Sequence, residues 1–453
     1  MAASGPDRAS EPVTATGVRV PGARLIVILA VLIVCSAILW MTRTYSFYLD
    51  EWDFILTAPD WTPATLLQPH NEHPVVLTRL IYYVLLVTVG LHTYWPFMTA
   101  LLTAHAATVI LVFEIVRRRA GDLIGLACAS LLLALGAGWE DLLWAFQIAF
   151  VGAVAFGLGA MLAFESAVTA RDKAIAVALL AASVMFSGIG LFFAVTTAVR
   201  LAADRRRWLD LAWLMPLGVA IGGWYLRFGR SGGPGAPGIQ LSNLLALPAY
   251  TVWGLAGSAG GLIGVGGWGA LGVLALAAVA LVLTWRRHRP DALAIGVAAG
   301  LIAFYAITGL TRAQIGYVQS GAGRYVYVGA VFWLILLADA ARHLPWRGTW
   351  RPALVACAFL ACFSSAVLLF TFGYAKAIQM ERQTADLQAL AYELGDPCLN
   401  PSGAVDPQVM PWVSRPALYY RAIADYGDPV AGTLVTDAAD FNAALRNLRR
   451  AGC

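Results

Sequence analysis

The chain has 453 residues, of which 60% are hydrophobic and 13% charged, with a mean hydropathy of +0.71; a water-facing globule, with roughly a quarter of its residues charged, is excluded. The formal net charge of +5 is mild, and the basic residues sit in short clusters between apolar runs. That pattern orients membrane helices and leaves no basic patch for nucleic acid. The apolar runs lack the two-residue alternation of barrel strands, so the expectation is an all-α polytopic membrane protein.

In chain order, residues 1–23 are polar and read as a disordered cytoplasmic tail. Arg19 and Arg24 then precede an apolar run from Leu25 to Met41. No small-x-small cleavage motif precedes Arg43, so this is an uncleaved first span at about 24–42. The next loop carries Asp50, Glu51, Asp53 and Asp60, then His70-Asn71-Glu72-His73-Pro74. Two apolar runs follow, Val75–Leu91 and Trp95–Val116, the second ending in Arg117-Arg118-Arg119. Positive residues favour the cytoplasm, and Arg79, Tyr82, Tyr83 and Tyr94 suit an interfacial helix. The first run is therefore expected to lie along the outer interface.

Spans are then expected at about 121–138, 143–166, 174–187, 189–201 and 209–226, the middle pair near or below crossing length. A Gly/Pro-rich loop runs from Arg227 to Asn243. The glycine-rich stretch 244–267 is expected to be a second interfacial or re-entrant piece. Spans at about 268–285, 291–309, 325–341 and 352–372 complete a set of about eleven, amino end inside and carboxyl end outside. Residues 24–372 thus form a transmembrane domain. Residues 373–453, with their charges, prolines and turn dipeptides, form a small extracytoplasmic soluble domain. Cys35, Cys128, Cys357 and Cys362 lie in apolar runs as packing residues, whereas Cys398 and Cys453 nearly bracket the polar segment and are expected to form a disulfide.

Four groups could carry chemistry. Asp50-Glu51-Trp52-Asp53 follows the first span; its carboxylates suit a divalent cation or a proton taken from a hydroxyl, or form a solvated acidic loop. Trp139-Glu140-Asp141, beside Trp144 and Gln147, is a second acidic turn or a polar turn with interfacial tryptophans. His70 and His73 would share a face only on a helix, and Pro74 argues for an extended approach, so histidines lining a loop is the plainer reading. Arg312 and Arg324 stand on the outer side against the positive-inside trend, where a planar guanidinium suits a phosphate or a lipid headgroup. Arg324 abuts an apolar span beside Tyr325 and Tyr327, which favours function there. A carboxylate that activates a hydroxyl and an arginine that holds a departing phosphate make a coherent pair.

In this order of features the chain resembles the GT-C superfamily of integral membrane glycosyltransferases, in a bacterial, actinobacterial-like form. An acidic pair follows the first span (Asp50-Glu51), a His-Pro start to an interfacial helix follows in the same loop (His73-Pro74), and a second acidic pair follows the third span (Glu140-Asp141). The resemblance implies transfer of a sugar from a polyprenyl-phosphate donor, with inversion, to a hydroxyl of a cell-envelope glycan, lipid or protein on the outer face of the cytoplasmic membrane. It makes Asp50 the general base with Glu51 as its neighbour. It assigns Asp53, Glu140, Asp141 and His73 to acceptor orientation or a divalent cation, and Arg324 with Arg312 to the donor phosphate. Tyr325, Trp139 and Gln147 become donor or acceptor contacts. The chain lacks the long acceptor domain and the WWDYG-like motif of oligosaccharyltransferases, which counts against N-glycosylation. The alternatives are a membrane transporter or lipid-linked sugar flippase, against which stand the few mid-span charges beyond Glu114 and Glu165 and the lack of related halves, and a non-catalytic scaffold.

Overall fold

The computed structural model of the chain describes residues 18–231, 241–344, 346, 348–406 and 410–452. Most of the expected tail, residues 1–17, and Cys453 lie outside them. Among the described residues there is no strand, only isolated bridges between His70 and His73 and between Leu399 and Arg449. The apolar segments are helical because a backbone in hydrocarbon has no water to satisfy its N–H and C=O groups.

The first half contains α1 (Ala23–Met41), α2 (Asp50–Thr57), α3 (Pro63–Leu66), α4 (Val76–Thr88), α5 (Trp95–Ala120), α6 (Asp122–Leu133), α7 (Trp139–Leu143), α8 (Ile148–Ser166), α9 (Ala170–Phe186) and α10 (Gly190–Ala203). The second contains α11 (Met215–Arg227), α12 (Leu241–Gly261), α13 (Gly267–Arg287), α14 (Ala292–Arg312), α15 (Gly323–Ala341), α16 (Trp350–Tyr392), α17 (Pro416–Tyr426) and α18 (Ala438–Leu448). Local chemistry sets several boundaries. Pro96 opens α5, where a missing N–H costs nothing. Gly121, at φ 90°, ends it. Thr169 and Asp172 close a capping box at the start of α9, and Asp291 caps α14 through the Ala294 N–H.

Among the described residues eight helices are long and apolar enough to cross a membrane, or up to nine if α6 and α7, bent by 44°, make one broken span. The chain is therefore an all-α, multi-pass membrane protein. The sequence led to about eleven spans; the difference is the pair α9 and α10, which have 17 and 14 residues. At 1.5 Å per residue α10 is only about 21 Å long, against a hydrocarbon core of about 30 Å. The first apolar run after α2, expected at the interface, is likewise short: α4 has 13 residues. Arg79 on α4 is buried and donates to the carbonyls of Thr65, Leu66 and Gln68, so it ties the preceding loop to the bundle.

The composition shift at Phe372 falls inside a continuous helix. α16 has 43 residues, about 65 Å, twice what a bilayer needs. Its polar continuation buries Met380, Gln383, Leu387 and Leu390, and α18 packs along it while α17 packs on α2. Cys398 is disulfide-bonded; its expected partner Cys453 lies outside the described residues.

In the bundle α8 packs on α9 and α5, α10 on α14, and α12 on α13, α14 and α15. α14 is 21 residues long, about 30 Å, and carries charge at both ends. At its start Asp291 meets Arg119 and Arg342. At its end Arg312 meets Glu72.

Candidate active site

Two short backbone devices position the key side chains. Leu49 adopts φ 46°, ψ −118°, a conformation that costs a non-glycine residue about 1–3 kcal/mol. It turns the chain sharply so that α2 begins at Asp50. The second device is the tight turn of residues 70–73. His70 N–H donates to the His73 carbonyl at 3.1 Å and His73 N–H to the His70 carbonyl at 3.0 Å, with Asn71 at φ 53°. Gly188, between α9 and α10, lets this turn approach: a Cβ there would stand 2.5 Å from His73 Nδ1.

These devices bring distant residues to one polar cavity of about 100 Å³, whose wall includes Asp50, His70, His73, Gln147, Arg312, Arg324 and Tyr325. His73, Phe150, Arg312 and Tyr325 also line a second cavity of about 660 Å³. The rest of that second wall is mostly apolar and comes from α4, α9, α10, α11 and α14, with Val184, Phe192, Leu217, Ile221 and Ile307 among its residues. A small polar chamber thus joins a large apolar groove through shared residues.

The charges around the chamber are ordered. His70 Nδ1 contacts Asp53 Oδ2 at 3.1 Å, and His70 Nε2 stands 3.8 Å from Asp50 Oδ2, an ion-pair distance longer than a hydrogen bond. Burial opposes charge on His70, but the Asp50 and Asp53 carboxylates overcome it and lift its pKa to about 9. Burial would raise the Asp50 pKa; the His70 ring, the Trp412 indole N–H at 3.3 Å and Arg324 hold it below the ordinary value. Asp50 is therefore an ionised carboxylate beside an imidazolium. Burial, aided by Arg312 and His70, pushes His73 down to about 3, so its ring is neutral. Arg312 pairs with Glu72 at 2.8 Å and Arg324 with Glu140 at 3.4 Å. Arg324 also lies over the Tyr325 ring, 5.5 Å from its centroid. Buried His70 Nε2, Gln147 Oε1 and Glu72 Oε1 have no hydrogen-bond partner, so the walls of the two cavities retain bonding capacity.

Not every expected residue meets this chamber. Glu51 is 0% exposed and faces the core, where it accepts from Tyr82 OH at 2.7 Å, Tyr94 OH at 3.0 Å and the Tyr48 N–H at 2.8 Å. Burial lifts its pKa to about 7 against these bonds. Asp53 reaches the chamber only through His70. Asp141 is fully buried with neither carboxylate oxygen hydrogen-bonded, and Trp139 stacks on Phe372, 5.0 Å between centroids; neither lines the cavities. Glu140 acts through Arg324. Among the described residues no group of three or more His, Cys, Asp or Glu side chains is arranged to hold a metal ion.

Three contributors escape a sequence reading. His70 is the histidine that meets the acidic turn, at Asp53 and Asp50. Glu72 lies 240 residues from its partner Arg312, and Trp412 lies 362 residues from Asp50. No local pattern announces such pairs. No family model matches the chain, and neither a curated protein nor a solved structure matches it.

Proposed function

We propose that this chain is a GT-C-type glycosyltransferase that moves a sugar from a polyprenyl-phosphate donor to a hydroxyl acceptor of the cell envelope, on the outer face of the cytoplasmic membrane. One observation carries the reading: Asp50, Arg312 and Arg324 line a single polar chamber that adjoins an apolar groove and shares Arg312 with its wall. A lipid phosphate needs that combination, with cations for the head and a dry groove for the tail.

In this reading the tail lies along α10, α11 and α14 and the phosphate sits between Arg312 and Arg324. The acceptor oxygen attacks the anomeric carbon from the face opposite the phosphate, and its proton passes to Asp50. The bond from that carbon to the phosphate oxygen breaks, and the lipid phosphate leaves with the electron pair, stabilised by the two guanidinium groups. Attack opposite the leaving group inverts the anomeric centre. His70 keeps Asp50 ionised and fixed, while Gln147 and Tyr325 are placed to contact the sugar. Glu51 belongs to the scaffold of α2, α4 and α5. Among the described residues Asp50 is the one carboxylate on the chamber wall, so a divalent cation, if the reaction uses one, would be drawn there.

The test is transfer of radiolabelled sugar by the purified protein in proteoliposomes given a polyprenyl-phosphate sugar and an envelope acceptor extract. Wild-type protein transfers, and Asp50→Asn folds but does not. Transfer by Asp50→Asn at the wild-type rate would remove the proposed base. Passage of the lipid-linked sugar across the bilayer with no transfer would favour a flippase.

A further inference from the structure

The chamber contains a feature that a simple anion site does not need. Arg312, one of the two cations facing the phosphate position, is already held by Glu72 at 2.8 Å. Glu72 is itself part of the groove wall, and its second oxygen, Oε1, is buried without a partner. The main-chain bonds between His70 and His73 fix it on a rigid turn. Glu140 holds the other cation in a similar way, at 3.4 Å. A carboxylate at the junction of chamber and groove repels any anion that enters, in surroundings that screen poorly. It also occupies part of the fork with which a guanidinium would grip phosphate through two parallel bonds.

The repulsion is not equal for the two lipids of the proposed reaction. The donor is a phosphodiester with one negative charge. The product is a phosphomonoester, with charge near −1.5 to −2 at neutral pH because its second pKa is about 6. Coulomb energy scales with charge, so a fixed carboxylate opposes the product more strongly than the donor.

We infer that Glu72, paired with Arg312 where the polar chamber meets the apolar groove, is a positioning and specificity residue that discriminates against the lipid phosphomonoester product and so drives its release. The inference rests on the reading of the chamber as a polyprenyl-phosphate site. Glu72 makes no bond to the reacting atoms; it acts through Arg312 and through its own charge.

The experiment uses the full chain in nanodiscs and measures binding of undecaprenyl phosphate, a non-transferable undecaprenyl-phosphate sugar analogue and inorganic phosphate. Glu72→Gln tightens the monoester by about tenfold and the diester by about threefold, the ratio expected when one lipid carries about twice the charge of the other. In transfer assays the same variant becomes more sensitive to inhibition by undecaprenyl phosphate, a change that loss of a merely structural contact would not produce. Glu72→Ala, a second neutral variant, gives the same ordering should Glu72→Gln fold poorly. Glu72→Asp keeps the charge and so keeps the wild-type ratio. Inorganic phosphate binds far more weakly than either lipid, because it cannot use the groove. Equal shifts for the two lipids, weaker binding in both neutral variants, or inorganic phosphate bound as tightly as the lipid would overturn the inference. If wild-type protein binds none of the three, the donor-site reading itself fails; if it binds the lipids and Glu72→Gln changes nothing, only the role of Glu72 falls.

Discussion

The two ends of α14 are both rich in arginine and carboxylate, and they use them differently. At the first end Arg119 pairs with Asp291 and lies 3.7 Å from Glu165, while Arg342 joins Asp291 at 3.5 Å and Asp339 at 3.0 Å. Arg207 and Lys173 both close on the nearby Asp210. These pairs lace helix ends together. The hollow beside them, about 390 Å³, is walled by Arg119, Arg200, Asp204, Arg205 and Asp291 with three small or medium apolar residues, and shares no wall with the groove. At the second end the ion pairs of Arg312 and Arg324 border buried polar atoms that lack partners, and the chamber shares His73, Phe150, Arg312 and Tyr325 with the wall of the 660 Å³ groove. Buried polar atoms are normally satisfied; since Asp339 Oδ1 at the first end also lacks a hydrogen-bond partner, it is the adjoining apolar groove, and not the number of charges or of orphan atoms, that distinguishes the second end.

Substitutions at the two ends break or sharpen that contrast. The largest effect falls on Asp50→Asn: loss of a positioned base lowers transfer by about 10²–10⁴-fold, read as kcat/KM in proteoliposomes, while loss of its pairing with His70 lowers the unfolding temperature only modestly. Arg324→Gln follows, with a loss of about 10²-fold in kcat, because the guanidinium stabilises the departing phosphate.

Next is the pH response of His70. Its folded pKa of about 9 exceeds the ordinary 6.5, so the stability it contributes is fully present below about 6.5 and is lost as the pH rises through about 9. Unfolding temperature in detergent should therefore decline across that window in wild-type protein and stay flatter in His70→Gln. Transfer should fall on the same alkaline limb, since the imidazolium steadies Asp50.

Glu51→Ala comes after these. It strands Tyr82 OH, Tyr94 OH and the Tyr48 N–H, costing about 3 kcal/mol of stability while the folded fraction keeps its kcat. The smallest effect belongs to the first end of α14: Arg205→Gln, at an exposed position, leaves transfer within about twofold. A loss there comparable to that of Arg324→Gln would dissolve the contrast.

Much of the bundle was legible in hydropathy. The run 268–285 became α13 (Gly267–Arg287), and 325–341 became α15 (Gly323–Ala341), because span length and composition are set by the bilayer and need no tertiary contacts. The expected count exceeded the eligible helices at two places: α10 is apolar but has only 14 residues, and α9, with 17 residues, opens with Arg171, Asp172 and Lys173. The helix running past Phe372 was hidden for the opposite reason. Its extension is polar in sequence and is ordered by packing against α17 and α18. In the site, Asp50, Arg312 and Arg324 were legible as charges at the ends of apolar runs. Which of Asp50 and Glu51 lines the chamber was not, since adjacent residues on a helix point about 100° apart and only the fold decides which faces the core. The roles of His70, Glu72 and Trp412 depend on a turn at residues 70–73 and on contacts across hundreds of residues.

The most direct test of the donor-site claim is a cryo-electron microscopy structure of the protein in nanodiscs with undecaprenyl phosphate. Phosphate density is expected within hydrogen-bond reach of Arg312 and Arg324, with the isoprenoid chain along α10, α11 and α14. Phosphate density at Arg119 and Arg200, or a chamber left without lipid at saturating concentration, would contradict it.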